Sequence, residues 1–328
     1  MIISRTPFRI SLFGGGSDFP AHYRRHGGAV LSAGINQYAY LSVHRLAPFF
    51  PHRYRASYAR TESVRSPAEF EHPLIRECLL QLAFDEPLEI SHVADLPGRT
   101  GIASSSSFTV GLLHALHAFR GEQADPARLA REAIQVERER VGDAGGHQDQ
   151  YAVAFGGFNR IDFSGDQQVA VHPLAIRTDR MRELEQRLLL VFTGIEMSAA
   201  AISRAQQAGV PDHADRLQAM AAMVDTAQAV LEGSGPLTPL GELLNETWNH
   251  KKQLASGISN PAIDDTYERA RRAGALGGKV LGAGGRGFML FYVEPEHRTA
   301  VLAALSECRE APFAFSPAGS EIIYSSSE

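Results

Sequence analysis

Apolar positions in the first part of the chain fall into short alternating or β-branched runs bounded by Gly or Pro. Ile2–Ser4, Ala29–Ala33, Ala39–Val43 and Leu88–His92 are therefore predicted strands. Phe108, Leu112, Leu116 and Phe119 recur at a helical period, which predicts a helix over Phe108–Arg120. A second helix is predicted over Leu129–Arg140, opened by Asp125-Pro126, before strand character returns at Phe158–Phe163 and Val169–Pro173. Beyond Pro173 a buried strand is expected at Leu188–Phe192. Long helices are expected over His213–Glu232, Leu240–Lys252 and Ala262–Arg272, with Gly233-Ser234-Gly235-Pro236 as a loop between the first two. A glycine-rich turn, a strand at Phe288–Val293, a helix at Glu296–Arg309 and a strand near Ile322–Tyr324 complete the pattern. Strands, then helices, then strands suit an α+β fold with mixed or antiparallel sheets better than a doubly wound parallel one.

Composition narrows the class. The 328 residues are 44% hydrophobic and 21% charged, with a net charge of −5, so the basic excess of a nucleic-acid binder is missing. The N-terminal residues lack the apolar core of a signal peptide, and the longest apolar runs are strand-sized, so a cytoplasmic protein without membrane spans is expected. Cys78 and Cys308 suggest neither a disulfide framework nor a zinc cluster. Lysine occurs only at 251, 252 and 279, so any catalytic lysine comes from those three.

Three stretches carry candidate chemistry. Gly101-Ile102-Ala103-Ser104-Ser105-Ser106-Ser107 reads as a small-residue loop between a strand and the helix at Phe108. It is either a Ser linker or an anion site built on helix N–H groups, and it lacks the Gly-Lys-Ser/Thr of a Walker A loop. On the second helix Glu137 falls on the apolar stripe of Ala130, Ala133, Ile134 and Val141, whereas Glu139 lies to the side. A carboxylate there requires an arginine partner or a cation. Asp149, after Gly145-Gly146-His147-Gln148, is placed either to close an Asx-turn or to accept a hydroxyl proton. Arg9–Asp18 runs into Gly14-Gly15-Gly16 without a dinucleotide fingerprint, and seven of the fourteen residues from 274 to 287 are glycine. Such backbone permits close approach to a ligand or to another segment.

Together these stretches resemble the three motifs of the GHMP kinases: Pro7-Phe8-Arg9 through Ser17-Asp18, Asp95-Leu96-Pro97 through Ser107, and Gly277-Gly278-Lys279 through Gly284-Gly285. The Gly-Gly-Gly-Ser-Asp run, His72-Pro73-Leu74-Ile75-Arg76, Gln148-Asp149-Gln150-Tyr151 and Trp248–Lys251 leading to Asn260-Pro261 resemble the D-glycero-D-manno-heptose 7-phosphate kinases in particular, which share their pattern with fucokinase domains. The resemblance spans residues 2 to 295 and implies a two-domain fold. Residues 1–173 would form an N-terminal ATP-binding domain and 174–328 a C-terminal domain, with the active site in the cleft between them. It implies ATP and Mg²⁺ as cofactors and phosphorylation of the sugar's C1 hydroxyl to a 1,7-bisphosphate for nucleotide-activated heptose synthesis.

By position, Asp149 resembles the catalytic aspartate and Arg9 its arginine partner. Ser105 and Glu137 resemble the Mg²⁺ ligands. Pro97, Gly101, Ala103, Ser104, Ser105, Ser106 and Ser107 fall on the ATP-binding motif, and Gly14, Gly15, Gly16, Ser17, Asp18, Gly284 and Gly285 on the sugar-binding segments. Arg24, Arg25, Arg53 and Arg55 are candidates for gripping the sugar's phosphate. Two departures stand out: Ala103 replaces a usual glycine, and Arg286 stands where glycine usually continues. The partners implied are a sugar phosphate and ATP, with neither nucleic acid nor membrane and with a homodimer left open. A fucokinase, a catalytically silent sugar sensor and a diphosphomevalonate-type decarboxylase are the competing readings.

Overall fold

The computed structural model describes residues 1–166, 168–194, 199–285 and 287–326. Twelve strands occur among them: β1 Ile2–Phe13, β2 Gly28–Arg45, β3 Tyr54–Ser57, β4 Thr61–Val64, β5 Leu88–Ala94, β6 Phe158–Ser164, β7 Gln168–Pro173, β8 Leu188–Phe192, β9 Ala275–Val280, β10 Phe288–Val293, β11 Arg309–Glu310 and β12 Glu321–Ser325. The helices are α1 Pro20–His26, α2 Pro73–Gln81, α3 Ser104–Phe119, α4 Pro126–Ile134, α5 Gln148–Phe155, α6 Thr178–Arg187, α7 Ala199–Gly209, α8 Ala214–Glu232, α9 Thr238–Lys251, α10 Pro261–Arg272 and α11 Arg298–Ala304.

An eight-stranded sheet runs β12-β1-β2-β5-β3-β4, with β6 on β2 and β7 on β6. All its pairings are antiparallel except β3 with β5, so it is mixed, as the pattern predicts. The two predicted strands at Ala29–Ala33 and Ala39–Val43 are one strand, β2. Its first part pairs with β6 and its second with β5, and the polar Asn36-Gln37 segment between them interrupts the alternation where the partner changes. The second sheet, β11-β8-β10-β9, is antiparallel.

Strand β10 shows how the two layers share a core. Alternate side chains face opposite ways. Phe288, Leu290 and Tyr292 enter the main apolar core that continues to the first sheet, and Met289, Phe291 and Val293 enter a second core with Trp248 and Tyr267. Burial on both faces is why this strand reads as an unbroken apolar run. The last strand, β12, returns to pair with β1, so the C-terminal segment crosses the division expected at residue 173 and joins the first sheet.

Three of the predicted helices differ from the observed ones by more than two residues. Helix α3 starts at Ser104, so the serines form its first turn rather than a loop. The second helix is α-helical only to Ile134 and then widens into a π-helical turn over Gln135–Arg140, closed by Val141 N–H donating to Val136 O at 2.9 Å. The helix expected over Glu296–Arg309 is confined to Arg298–Ala304. Arg286 lies outside the described residues.

Candidate active site

Strand β1 delivers Arg9 and Ser11 to the same face, two residues apart. Arg9 is 2% exposed. Its Nε and Nη2 donate to Asp149 Oδ1 at 2.9 and 2.7 Å, and its Nη1 donates to Gly101 O at 2.8 Å. Asp149 sits in the first turn of α5, where the helix N-terminus favours a carboxylate. One guanidinium thus joins the first motif to both the second motif and the aspartate helix. The structure brings together the two residues to which the resemblance assigns catalysis.

Asp18 fixes the turn after β1. Its Oδ1 accepts from Gly16 N at 2.9 Å and Gln148 Nε2 at 3.0 Å, and its Oδ2 accepts from Gln148 N at 3.1 Å. Burial raises its pKa, and the neighbouring charge of Asp149 adds to the rise. A Cβ on Gly146 would lie 1.9 Å from Asp18 Oδ2, so only glycine lets the two segments meet there. Gln148 extends the network by accepting from Ser11 Oγ at 2.7 Å.

The walls of a cleft enclosing about 730 Å³, part of it open to solvent, include Arg9, Asp18, Gln148, Asp149, Lys251 and Lys279. Gly15 and Gly16 line it too, but Gly14 packs on the Ala29 carbonyl and Ser17 donates to Gly14 O and Ala29 O, at 2.8 and 3.0 Å. In the third motif Gly282 and Ala283 reach the cleft, whereas Gly284 and Gly285 pack against Ile258 and Gly257. None of these four, Gly14, Ser17, Gly284 and Gly285, is among the residues lining this cleft.

The second and third motifs meet backbone to backbone. Gly101 has φ +87°, and a Cβ there would lie 2.4 Å from Leu281 O. Ala103 adopts φ +63°, a left-handed conformation that favours glycine and explains the glycine usual at this position. From there α3 begins, and its first-turn N–H groups lack intrahelical acceptors, which is the condition for anion binding. Pro97 accepts at its carbonyl from Thr100 Oγ1 at 2.8 Å, and Ser104 Oγ accepts from Arg99 N at 2.9 Å.

Glu137 is buried in the π-helical turn and Glu139 is exposed, as their positions relative to the stripe predict. Ser106 Oγ donates to Glu137 Oε2 at 3.1 Å, whereas Ser105 is exposed. Gln150 Nε2 donates to the same oxygen at 2.8 Å, and Arg138 Nη1 stands 3.7 Å away. Burial raises the Glu137 pKa despite Arg138. Its other oxygen, Oε1, is buried and without a hydrogen-bond partner. Ser107 is structural, donating to Pro7 O and Ala103 O at 2.8 and 3.1 Å.

The surface arginines are elsewhere. Arg24 pairs with Asp166, Arg53 with Asp85, and Arg55 grips Glu89 with two bonds of 2.7 Å, while Arg25 is exposed. None of the four lines the cleft. Arg138, Lys251 and Lys279 do; the sequence signalled the lysines by their rarity and by their place in the resembling stretches, without assigning either a role.

Comparison with known proteins gives first a class, phosphotransferases with an alcohol group as acceptor. Residues 73–157 match the GHMP kinases N terminal domain and residues 226–311 the GHMP kinases C terminal domain. The chain is 31% identical over 319 residues to the D-glycero-alpha-D-manno-heptose 7-phosphate kinase of Campylobacter jejuni, covering 93% of both proteins. It therefore belongs to the GHMP kinases, which use ATP, and is a sugar kinase similar to the heptose phosphate kinases. A solved D-glycero-D-manno-heptose 1-phosphate kinase from Bacteroides thetaiotaomicron superimposes with TM-score 0.74 at 26% identity, covering 100% of both chains. Lactococcus lactis galactokinase complexed with galactose shares the fold, with TM-score 0.74 at 17% identity over 98% of this chain and 94% of its own. Among the described residues no helix is long and apolar enough to cross a membrane.

Proposed function

We propose that this protein transfers the γ-phosphoryl group of ATP to the anomeric C1 hydroxyl of D-glycero-D-manno-heptose 7-phosphate. The products are the 1,7-bisphosphate and ADP, and the reaction supplies nucleotide-activated heptose for surface polysaccharide in the cytoplasm. The observation that carries the reading is the Arg9–Asp149 pair on the wall of this cleft. Asp149 accepts the C1 hydroxyl proton as the oxygen attacks phosphorus in line and the bond to the ADP oxygen breaks. Arg9 holds the carboxylate in register through both bonds to Oδ1. Gly15, Gly16 and the Asp18–Gln148 network form the surface against which the sugar hydroxyls lie, and the first turn of α3 receives the nucleotide phosphates.

Glu137 and the hydroxyls of Ser105 and Ser106 are suited to hold Mg²⁺. The buried, unpartnered Oε1 of Glu137 is the feature a cation would satisfy. No cluster of three His, Cys, Asp or Glu occurs among the described residues, which fits an ion held chiefly by nucleotide phosphates and water. When bound, Mg²⁺ neutralises developing phosphate charge.

The names of the relatives differ in which phosphate the sugar carries, so position is the decisive measurement. The test compares heptose 7-phosphate, the same heptose without phosphate, and L-fucose, and locates the new phosphate by ³¹P NMR. Heptose 7-phosphate is expected to lead in kcat/KM with the phosphate on C1. A tenfold preference for fucose or the free heptose refutes the substrate and leaves the family.

A further inference from the structure

The charge on the cleft wall is unbalanced. Arg9, Arg138, Lys251 and Lys279 face two carboxylates, Asp18 and Asp149. Arg9 is matched by Asp149, and Arg138 lies beside Glu137. The two lysines form no ion pair among the described residues, although they are only 8% and 3% exposed. Lys251 Nζ donates to Val280 O and Gly282 O at 2.7 and 2.6 Å, and Lys279 Nζ donates to Leu12 O at 2.8 Å. An ammonium has three hydrogens. One on Lys251 and two on Lys279 are therefore without an acceptor among the described residues.

We propose that Lys251 and Lys279 together seat a phosphate monoester group in this cleft, that of the sugar phosphate or the terminal phosphate of the nucleotide. Three unused N–H donors on two neighbouring ammonium groups match the acceptor oxygens of one dianion, and charge-assisted bonds of this kind are the strong ones. Stapling loops does not account for the pair. A neutral donor would make the same carbonyl bonds without the cost of burying charge. That cost is visible, since burial lowers the Lys251 pKa to about 7 and that of Lys279 well below its usual value, and the proximity of Lys251 to Lys279 contributes. An anion between them reverses both effects. The lysines come from the end of α9 and from β9, so a phosphate held there also ties the third motif to the helix preceding Asn260.

The sugar arm of this proposal rests on the function proposed above, and the phosphate site itself does not. Binding of inorganic phosphate, heptose 7-phosphate, phosphate-free heptose and Mg²⁺–AMPPNP is measured by calorimetry on the full chain and on its Lys251→Met, Lys279→Met and Lys279→Arg variants, with circular dichroism as the folding check. Lys279→Met and Lys251→Met are expected to weaken inorganic phosphate at least tenfold, with Lys279→Arg retaining most of the affinity. A matching loss for heptose 7-phosphate, but not for phosphate-free heptose, assigns the site to the sugar's phosphate. A matching loss for AMPPNP, with heptose 7-phosphate unaffected, assigns it to the nucleotide. Unchanged phosphate binding in both folded methionine variants, or an equal loss for phosphate-free heptose, overturns the proposal. Wild-type preference for a phosphate-free sugar with the lysine effect on inorganic phosphate intact would instead refute the substrate and leave the site standing.

Discussion

Asp149→Asn isolates the proton-accepting role from the structural one. The substitution keeps an oxygen at the Oδ1 position, so both Arg9 donors retain an acceptor, while the charge and the basicity are lost. Breaking a fully buried ion pair costs about 3–5 kcal/mol. Here the arginine is buried but the aspartate side chain is 24% exposed, and the bonds survive, so a stability loss of roughly 1–2 kcal/mol is expected. The rate should suffer far more. Removing a general base costs about 10²–10⁴-fold in kcat, or roughly 2.7–5.4 kcal/mol of barrier. The assay is coupled ADP release at saturating substrates, with AMPPNP binding by calorimetry and a thermal melt on the same sample. Asp143→Asn is the control, because Asp143 is exposed and contributes only its backbone to Glu137 and Arg138. A folded Asp149→Asn enzyme with kcat within about threefold of wild type refutes the assignment, and phosphoryl transfer would then depend on positioning alone.

Three further outcomes are expected. Glu137→Gln should raise the Mg²⁺ concentration for half activity much more than Glu139→Gln, since Glu137 is buried with an unpartnered oxygen and Glu139 is exposed; equal responses would remove Glu137 from the metal site. Gly101→Ala should cost about 2–4 kcal/mol by chemical denaturation, combining left-handed strain with a clash on the Leu281 carbonyl, whereas Gly142→Ala, with φ +77° and open space around it, should cost only about 1 kcal/mol; equal losses would show that the contact between the motifs is loose. Lys251 is a base whose folded pKa is depressed to about 7, from its ordinary 10.5, by burial and by Arg9, against the opposing pull of Asp149 and Asp18. The unfolded chain then binds the extra proton between those values, so this lysine makes stability rise with pH across that window. Lys251→Met should flatten the rise and be relatively most stabilising below pH 7; identical slopes in wild type and variant would contradict a charged, buried Lys251.

Local pattern was enough for much of this protein. Alternation marked β5, β6 and β7, because a half-buried strand's exposure repeats every two residues, and apolar runs marked β8 and β10, which are buried on both faces. The stripe through Ala130, Ala133 and Ile134 identified Glu137 as buried, since a carboxylate on an apolar helix face has nowhere else to go. The motif residues at 9, 18, 105, 137 and 149 were marked through resemblance, and Asp125 announced its helix by capping it, whereas the cap at Asn260 emerged only in the structure. What the sequence by itself could not supply was which of these residues meet. That Ser106 rather than Ser105 turns its hydroxyl to Glu137 depends on where α3 begins, and that is set by the left-handed turn at Ala103, held where Gly101 packs on the third motif. The π-helical turn, the union of two predicted strands in β2 and the return of β12 to β1 are all fixed by partners far away along the chain. Surface arginines and cleft lysines look alike as letters. Only the tertiary structure decided that Arg24, Arg53 and Arg55 find carboxylates at the surface while Lys251 and Lys279 converge without one, because desolvation and charge balance are properties of a place in space rather than of a position in sequence.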